Sequence, residues 1–215
     1  MIIKSNAIVI NSFSYGESSI ISRLILDNGE KISIIIKGAK NIKSGKVALF
    51  QSMNLINIDY YHKNTRDIQL FKEGSLVNGF LNIKKHFESI KYGLCIIDFI
   101  NKALPKQYKD KLMFDIVSNS LSRINKSQDS KIVFILFLIA FSHYNGYSIN
   151  NFKFNQLSSD EALELFINNH EKNSYLIIKN CMINVDLNKV IERLLSIIKL
   201  HIPEMKNVKS LKFIN

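Results

Sequence analysis

The sequence predicts an α+β protein, in which an N-terminal OB-fold β-barrel precedes an all-helical C-terminal domain. Two observations indicate the strand and helix content. Residues 1–79 alternate short Ile- and Val-rich runs with Gly and Asn turn signals, as β-strands do. Beyond Gly79 the apolar residues recur at the three- and four-residue spacings of helices. We therefore expect two domains, a β-rich one over residues 1–79 and a helical one over residues 80–215.

The β-rich segment contains four or five predicted strands. The "DNG" of Asp27–Gly29, between "SRLIL" and "KISIII", is a hairpin signal because Asn and Gly accept positive φ. The runs "MNLINIDYYH" and "DIQLFKEGSLV" supply the later strands. Short strands separated by such turns favour a small closed barrel. An open β-sheet has the same local pattern, so the pattern alone leaves both architectures open.

The helical segment contains three amphipathic stretches and one that is apolar nearly all round. The amphipathic ones are "FLNIKKHFESIKYGLCIIDFINKAL", "KQYKDKLMFDIVSNSLSRI" and "DLNKVIERLLSIIKLHI". The run "DSKIVFILFLIAFSHYNGY" has no polar face, which predicts the buried central helix of a bundle. Between them, "SYLIIKN" followed by "MINV" is compatible with a short hairpin.

The formal net charge of +11 points to a polyanionic partner, either nucleic acid or an anionic membrane surface. A basic protein without such a partner would have the same composition. The longest apolar run, Ile132–Phe141, is about half the roughly 20 residues that cross a bilayer. The N-terminus has no charged stretch ahead of its apolar residues, unlike a signal peptide. We expect a cytoplasmic, nucleoid-associated protein without a membrane partner.

The stretch "KGAKNIKSGK" sets a lysine at every third position, and no acidic residue lies between Glu30 and Asp59. In an extended loop these lysines would recur every ~10 Å, which is compatible with contacts to phosphates. A solvated loop would have the same sequence. The predicted nucleic-acid contacts are Lys37, Lys40, Lys43 and Lys46, with Arg23 and Arg66 adding charge to the same surface. Four aromatic residues either stack on bases or pack in the core: Phe13, Tyr15, Tyr60 and Tyr61.

No catalytic motif is present in the sequence. The lysine-rich stretch differs from a Walker A loop, because Gly38 lies seven residues from Gly45 and Val47 replaces the magnesium-binding hydroxyl. The five histidines show no metal-binding spacing. Cys95 and Cys181 stand in apolar surroundings and are expected to be buried free thiols. We predict no catalytic residue, no metal site and no cofactor, since a nuclease or NTPase would need a carboxylate cluster or a P-loop.

Several short motifs, in order and spacing, resemble the bacterial RecO family of DNA repair proteins. The family opening "IVL…YGE-S" corresponds to Ile8–Ile10 and Tyr15–Ser18. Its later "AKGA-K-KS" corresponds to Lys37–Lys40 and Lys43–Ser44. The C-terminal "ERLLSIIKLHIPEMKNVKSLKFI" is similar to the family's last helix and ending. The resemblance runs nearly end to end and is strongest over residues 7–46.

The resemblance implies an OB-fold, a helical domain, and binding of single- and double-stranded DNA through Lys37, Lys40 and Lys43. It also implies annealing of complementary strands and recombination mediation in the RecFOR pathway. In that role such proteins act with RecR, engage the C-terminal tail of single-stranded DNA-binding protein, and help RecA load. The alternative is a general OB-fold single-stranded nucleic-acid-binding protein without a mediator role.

One feature of the family is missing from this sequence. Many members carry four zinc-binding cysteines in the helical domain, whereas this chain has Cys181 alone between His143 and Val185. Zinc is therefore not expected. The acidic tail with its apolar end should enter a pocket that mixes lysine and apolar side chains. The candidate residues for that pocket are Lys84, Lys85, Lys91, Arg193 and Lys199.

Overall fold

The computed structural model describes residues 1–105, 109–126, 129–147, 153–154, 157–158, 161–162, 164 and 174–214. Its first part consists of five strands: β1 (Ile2–Tyr15), β2 (Ser19–Leu26), β3 (Lys31–Ile36), β4 (Leu55–Tyr61) and β5 (Ile68–Asn78). They form a closed barrel in the order β1-β2-β3-β5-β4. Only the β3–β5 pair of this barrel is parallel. A 3₁₀ turn, Ile42–Ser44, and the short helix α1 (Lys46–Leu49) lie between β3 and β4.

The barrel strands bury apolar residues on both of their faces. One set fills the barrel interior: it includes Ala7, Val9, Leu24, Ile34, Ile56 and Ile58. The alternate residues Ile8, Ile10 and Ile25 belong instead to the core of the helical part. Because side chains alternate along a strand, the barrel uses one face as its own core and part of the other as a docking surface. The expected OB-like barrel is confirmed, and an open sheet is excluded.

The second part is built from helices, as predicted. They are α2 (Phe87–Ala103), α3 (Lys111–Asn125), α4 (Ser130–Tyr144), α5 (Ser174–Cys181) and α6 (Leu187–His201). Helix α4 is buried along nearly its whole length, which confirms the prediction of a central helix. Asp129 caps its first turn, and Gly146 with φ +71° follows its end. A pair of two-residue strands, β6 (Lys153–Phe154) and β7 (Leu157–Ser158), also lies in this part.

The hairpin considered for "SYLIIKN" and "MINV" is wrong, because the first of these runs is helix α5. Ile178 and Met182 lie four residues apart and are both buried in the helical core. The turn that follows places Asn184 at φ +65° before Asp186 caps α6. A short Ile-rich run fits a strand or a buried helix equally well, and here packing against the bundle decides for the helix.

Candidate nucleic-acid interface

The lysine loop, Lys37–Lys46, follows β3 directly and folds onto the turn between β1 and β2. Gly38 has φ +65°, a left-handed conformation that turns the chain at the end of the strand. The backbone amide of Lys40 donates to the carbonyl of Ser18 at 3.0 Å. Its ammonium group donates to the carbonyl of Gly16 at 2.7 Å. Lys40 therefore fastens the loop to the neighbouring turn.

The rest of the lysine loop is compact, so the even ~10 Å spacing of an extended segment does not apply. Asn41 caps the 3₁₀ turn by accepting from the backbone amide of Lys43 at 3.1 Å. The ammonium group of Lys46 donates a hydrogen bond to the carbonyl of Lys37 at 3.4 Å. Lys37, Lys40 and Lys43 are exposed, whereas Lys46 is half-buried. Of the four lysines in this loop, Lys37 and Lys43 are therefore the two whose ammonium groups have no described protein partner.

Arg23 lies on the outer face of β2. The lysine loop contacts the turn that precedes this strand. Its guanidinium group stands 5.8 Å from the ring centroid of Phe13 on β1. Phe13 is 43% exposed, so the pair forms a cationic and aromatic surface that solvent reaches. Arg23 is opposite Ser33 of β3, and Ser33 is opposite Ile68 of β5.

A cavity of about 510 Å³ opens between the outer face of the barrel and the helices, and we call it the basic groove. Its cationic lining residues are Arg23, Lys31, Lys63, Arg66 and Lys109. Its acidic lining residues are Glu30 and Asp67. Glu30 is already paired with Lys109 at 3.1 Å. The groove therefore holds an excess of positive charge, as a surface for a polyanion requires.

The structure separates the six predicted contact residues into two groups. Lys37, Lys40, Lys43 and Lys46 belong to the lysine loop, whereas Arg23 and Arg66 line the basic groove. Sequence reasoning missed Lys63 and Lys109 as members of the groove. They lie far apart in the sequence, and only the parallel pairing of β3 with β5 and the position of the helices bring them to Arg23.

The four aromatic candidates divide between surface and core. Phe13, Tyr15 and Tyr61 are 43%, 53% and 42% exposed, so their rings are accessible. Tyr60 is buried in the barrel interior. Burial, with smaller contributions from Glu30 and Asp27, raises the pKa of Tyr60 to about 12. Core packing therefore accounts for one of the four residues only.

A second cavity, of about 520 Å³, lies in the helical part where α2 and α4 begin, and we call it the helix-start cavity. Helix α2 begins after His86, whose side chain makes no capping hydrogen bond. Tyr92 is 1% exposed and lines the cavity, and its hydroxyl has no hydrogen-bond partner among the described residues. The other lining residues are Asn82, His86, Glu88, Ser89, Ile124, Asp129, Ser130, Lys131 and Leu187.

None of the five residues proposed for the tail pocket lines the helix-start cavity. Lys84 instead donates to Asn54 at 2.7 Å, which joins the 3₁₀ turn Ile83–Lys85 to the barrel, and burial lowers its pKa. Lys91 pairs with Glu88 at 3.0 Å. Sequence reasoning missed Tyr92 and Lys131, which carry no recognisable motif.

The expectations for the thiols are only partly met. Cys95 is buried as a free thiol, and burial raises its pKa to about 12. Cys181 is only half-buried. Within the part of the chain that the structure describes, no group of three or more His, Cys, Asp and Glu side chains is arranged to hold a metal ion. No helix in the described ranges combines the length and the apolar composition needed to cross a membrane.

Comparison with known proteins gives one consistent family. Residues 1–80 match the family described as "Recombination protein O N terminal". A DNA repair protein RecO of Chlorobium limicola is 32% identical over 140 residues, which are 65% of this chain and 54% of the relative. A RecO of Salinibacter ruber is 30% identical over 58% of this chain and 48% of the relative.

The chain thus spans about half the length of these curated relatives. Another RecO, from Azobacteroides pseudotrichonymphae, aligns over 100% of this chain and 98% of its own length at 23% identity. The barrel match, the agreement among these relatives and the barrel-then-helices architecture lead to one assignment. Residues 1–80 match the N-terminal family of recombination protein O, and the chain as a whole is similar to DNA repair proteins RecO.

Proposed function

We propose that this protein binds single- and double-stranded DNA without catalysing a reaction, and that it anneals complementary strands. The observation that carries the proposal is the basic groove beside the Phe13–Arg23 pair. Cations supply sequence-independent attraction to phosphates, and an exposed aromatic ring supplies a stacking face for a base. The lysine loop, which adjoins the turn between β1 and β2, extends this positive surface.

The proposed cellular role is that of a recombination mediator. The relatives are DNA repair proteins RecO, and we infer that this chain acts with RecR to load RecA onto strands coated by single-stranded DNA-binding protein. We further propose that residues 1–79 hold the DNA and that residues 80–215 hold a protein partner. The protein would act in the cytoplasm, at the nucleoid.

The helix-start cavity is the proposed site for the acidic tail of single-stranded DNA-binding protein. Helix α2 begins without a side-chain cap, and Lys131 offers a positive charge to a carboxylate. The lining carboxylates Glu88 and Asp129 are already bonded, Glu88 to Lys91 and Asp129 to the first amides of α4. The buried Tyr92 hydroxyl is a hydrogen-bond donor without a described partner. Ile124 and Leu187 supply an apolar wall for the apolar end of the tail.

The DNA proposal is tested by fluorescence anisotropy of a labelled single strand at several salt concentrations. The structure selects Lys37→Ala/Lys43→Ala for the loop, because these lysines have no described structural contact. It selects Arg23→Ala/Lys63→Ala/Arg66→Ala for the groove. Each lost phosphate contact should flatten the slope of log K against log salt by roughly 0.7. We expect the slope to flatten by about 1.4 for the loop variant and by about 2 for the groove variant. Unchanged slopes for both variants would refute the proposed surface.

The mediator role is tested by annealing of complementary strands coated with single-stranded DNA-binding protein, with and without RecR. We expect annealing that falls when the coating protein lacks its acidic tail, and RecA loading that requires RecR. Tyr92→Phe and Lys131→Ala should weaken binding of a labelled tail peptide while naked-strand binding stays unchanged. If annealing and RecA loading depended on neither RecR nor the acidic tail, the alternative function would be supported, that of a general single-stranded nucleic-acid-binding protein.

A further inference from the structure

Gln69 is a buried polar residue whose side-chain hydrogen bonds go to one loop of the basic groove. It is 5% exposed and lies on β5 opposite Ile34 of β3. Its side-chain oxygen accepts from the backbone amide of Lys63 at 2.8 Å. Its side-chain nitrogen donates to the carbonyl of Lys63 at 3.1 Å and to that of Arg66 at 2.6 Å.

We propose that Gln69 is a positioning residue for DNA binding, which holds Lys63 and Arg66 at the rim of the basic groove without touching DNA itself. This inference rests on the proposed function of the groove. Gln69 carries no charge and is buried, so it acts through the backbone of the loop between β4 and β5.

Only an amide side chain can make this set of contacts. The loop presents one backbone donor and two backbone acceptors to residue 69, and Gln supplies one acceptor and two donors in a single group. A carboxylate would lack the donors, and an apolar side chain would lack both. The loop adds a backbone hydrogen bond from the Arg66 amide to the Lys63 carbonyl at 3.0 Å, and the His62 ring nitrogen Nε2 lies 2.7 Å from the Asn64 side-chain oxygen.

The anchor acts on the backbone and therefore leaves the two cationic side chains available. Within the described ranges, no acidic side chain forms an ion pair with Lys63 or Arg66, and both residues are exposed. If the loop moved freely, DNA would have to order it at each binding event, and that ordering opposes binding. A preorganised loop keeps both charges within reach of adjacent phosphates.

The test compares three variants of the full chain by anisotropy of a labelled single strand between 50 and 200 mM salt. They are Gln69→Met, Lys63→Ala/Arg66→Ala, and the combination of all three substitutions. Ile58→Val, a change in the barrel interior, controls for a general loss of thermal stability. Exchange of the Lys63 amide hydrogen, measured without DNA, reports directly on the anchor.

We expect Lys63→Ala/Arg66→Ala to flatten the salt slope by about 1.4, a roughly sevenfold smaller loss of affinity across this salt range. Gln69→Met should flatten it by about 0.7 or more and should speed exchange of the Lys63 amide. It should have no further effect in the combined variant, because the charges it positions are already gone. Ile58→Val should keep the wild-type slope.

Three results would overturn the inference. A wild-type slope for Gln69→Met beside a flattened one for Lys63→Ala/Arg66→Ala would leave the groove as the DNA site but remove Gln69 from it. If Gln69→Met changed the salt slope equally in the wild type and in the Lys63→Ala/Arg66→Ala variant, the substitution would act through stability alone. An unchanged slope for Lys63→Ala/Arg66→Ala would refute the groove itself, and the positioning role with it, even where amide exchange shows the anchor intact.

Discussion

The ammonium group of Lys31 donates to the carbonyl of Leu104 at 2.5 Å and to that of Asn101 at 2.9 Å. Lys31 begins β3, and the two carbonyls lie at the C-terminal end of α2. The last carbonyls of a helix have no partner within it, and they form the negative end of the helix dipole. One lysine of the barrel therefore completes a helix of the second part and holds the two parts together.

Replacing Lys31 by Met should lower the free energy of unfolding by about 1 to 2 kcal/mol, since hydrogen bonds to a charged group are lost. Urea unfolding followed by circular dichroism measures the change. Lys37→Met is the matched control, because this exposed lysine makes no described side-chain contact and should shift stability by less than about 0.5 kcal/mol. Equal unfolding midpoints for the two variants would contradict the helix-capping role of Lys31.

Gly29 should tolerate alanine far less well than Gly16, although both have positive φ. At Gly29, with φ +83°, an added Cβ would lie 2.0 Å from the carbonyl oxygen of Asp110. At Gly16, with φ +57°, it would meet open space. We expect Gly16→Ala to cost about 1 to 2 kcal/mol of backbone strain alone. Gly29→Ala should cost clearly more, and thermal melts that rank the two equally would argue against this close approach.

Phe13→Ala should weaken single-strand binding without changing its salt slope. Loss of one stacked base costs about 1 to 3 kcal/mol, whereas the number of phosphate contacts stays the same. Anisotropy titrations at several salt concentrations separate the two effects. Phe87→Ala serves as the control, since this ring is 73% exposed at the start of α2, outside the candidate surface. Parallel losses in both variants would show that neither ring stacks specifically.

The Cys95 thiol should make the folded protein less stable at alkaline pH. Burial raises its pKa from the ordinary thiol value of 9.0 to about 12. Between these two values the unfolded chain has lost the proton and the folded chain has kept it, so stability falls as pH rises above 9. At pH 10 the loss is about 1 kcal/mol. Urea unfolding from pH 8 to 10 should therefore show a flatter pH dependence for Cys95→Ala, and identical dependences would rule out this linkage.

Features that depend on residues close together in the sequence could be predicted from the sequence. The change from a two-residue to a helical period near Gly79 separates the barrel from the helices, and the apolar run of α4 indicates its burial. The lysine loop was visible because its four lysines recur at every third position within one short stretch. The run of α5 was misread, since a short Ile-rich segment carries too few residues to distinguish the two periods.

The sequence by itself determined the order of strands and helices, the positive charge and the family motifs, because all of these are written in local runs of residues. Only the tertiary structure decided which residues meet. Closure of the barrel through the parallel β3–β5 pair turns Tyr60 inward, leaves Phe13 exposed and sets Arg23 beside Arg66 and Lys63. It also places Gln69 beneath the loop that carries two of these cations. Such contacts join residues tens of positions apart, and no local pattern encodes a distance across a closed sheet.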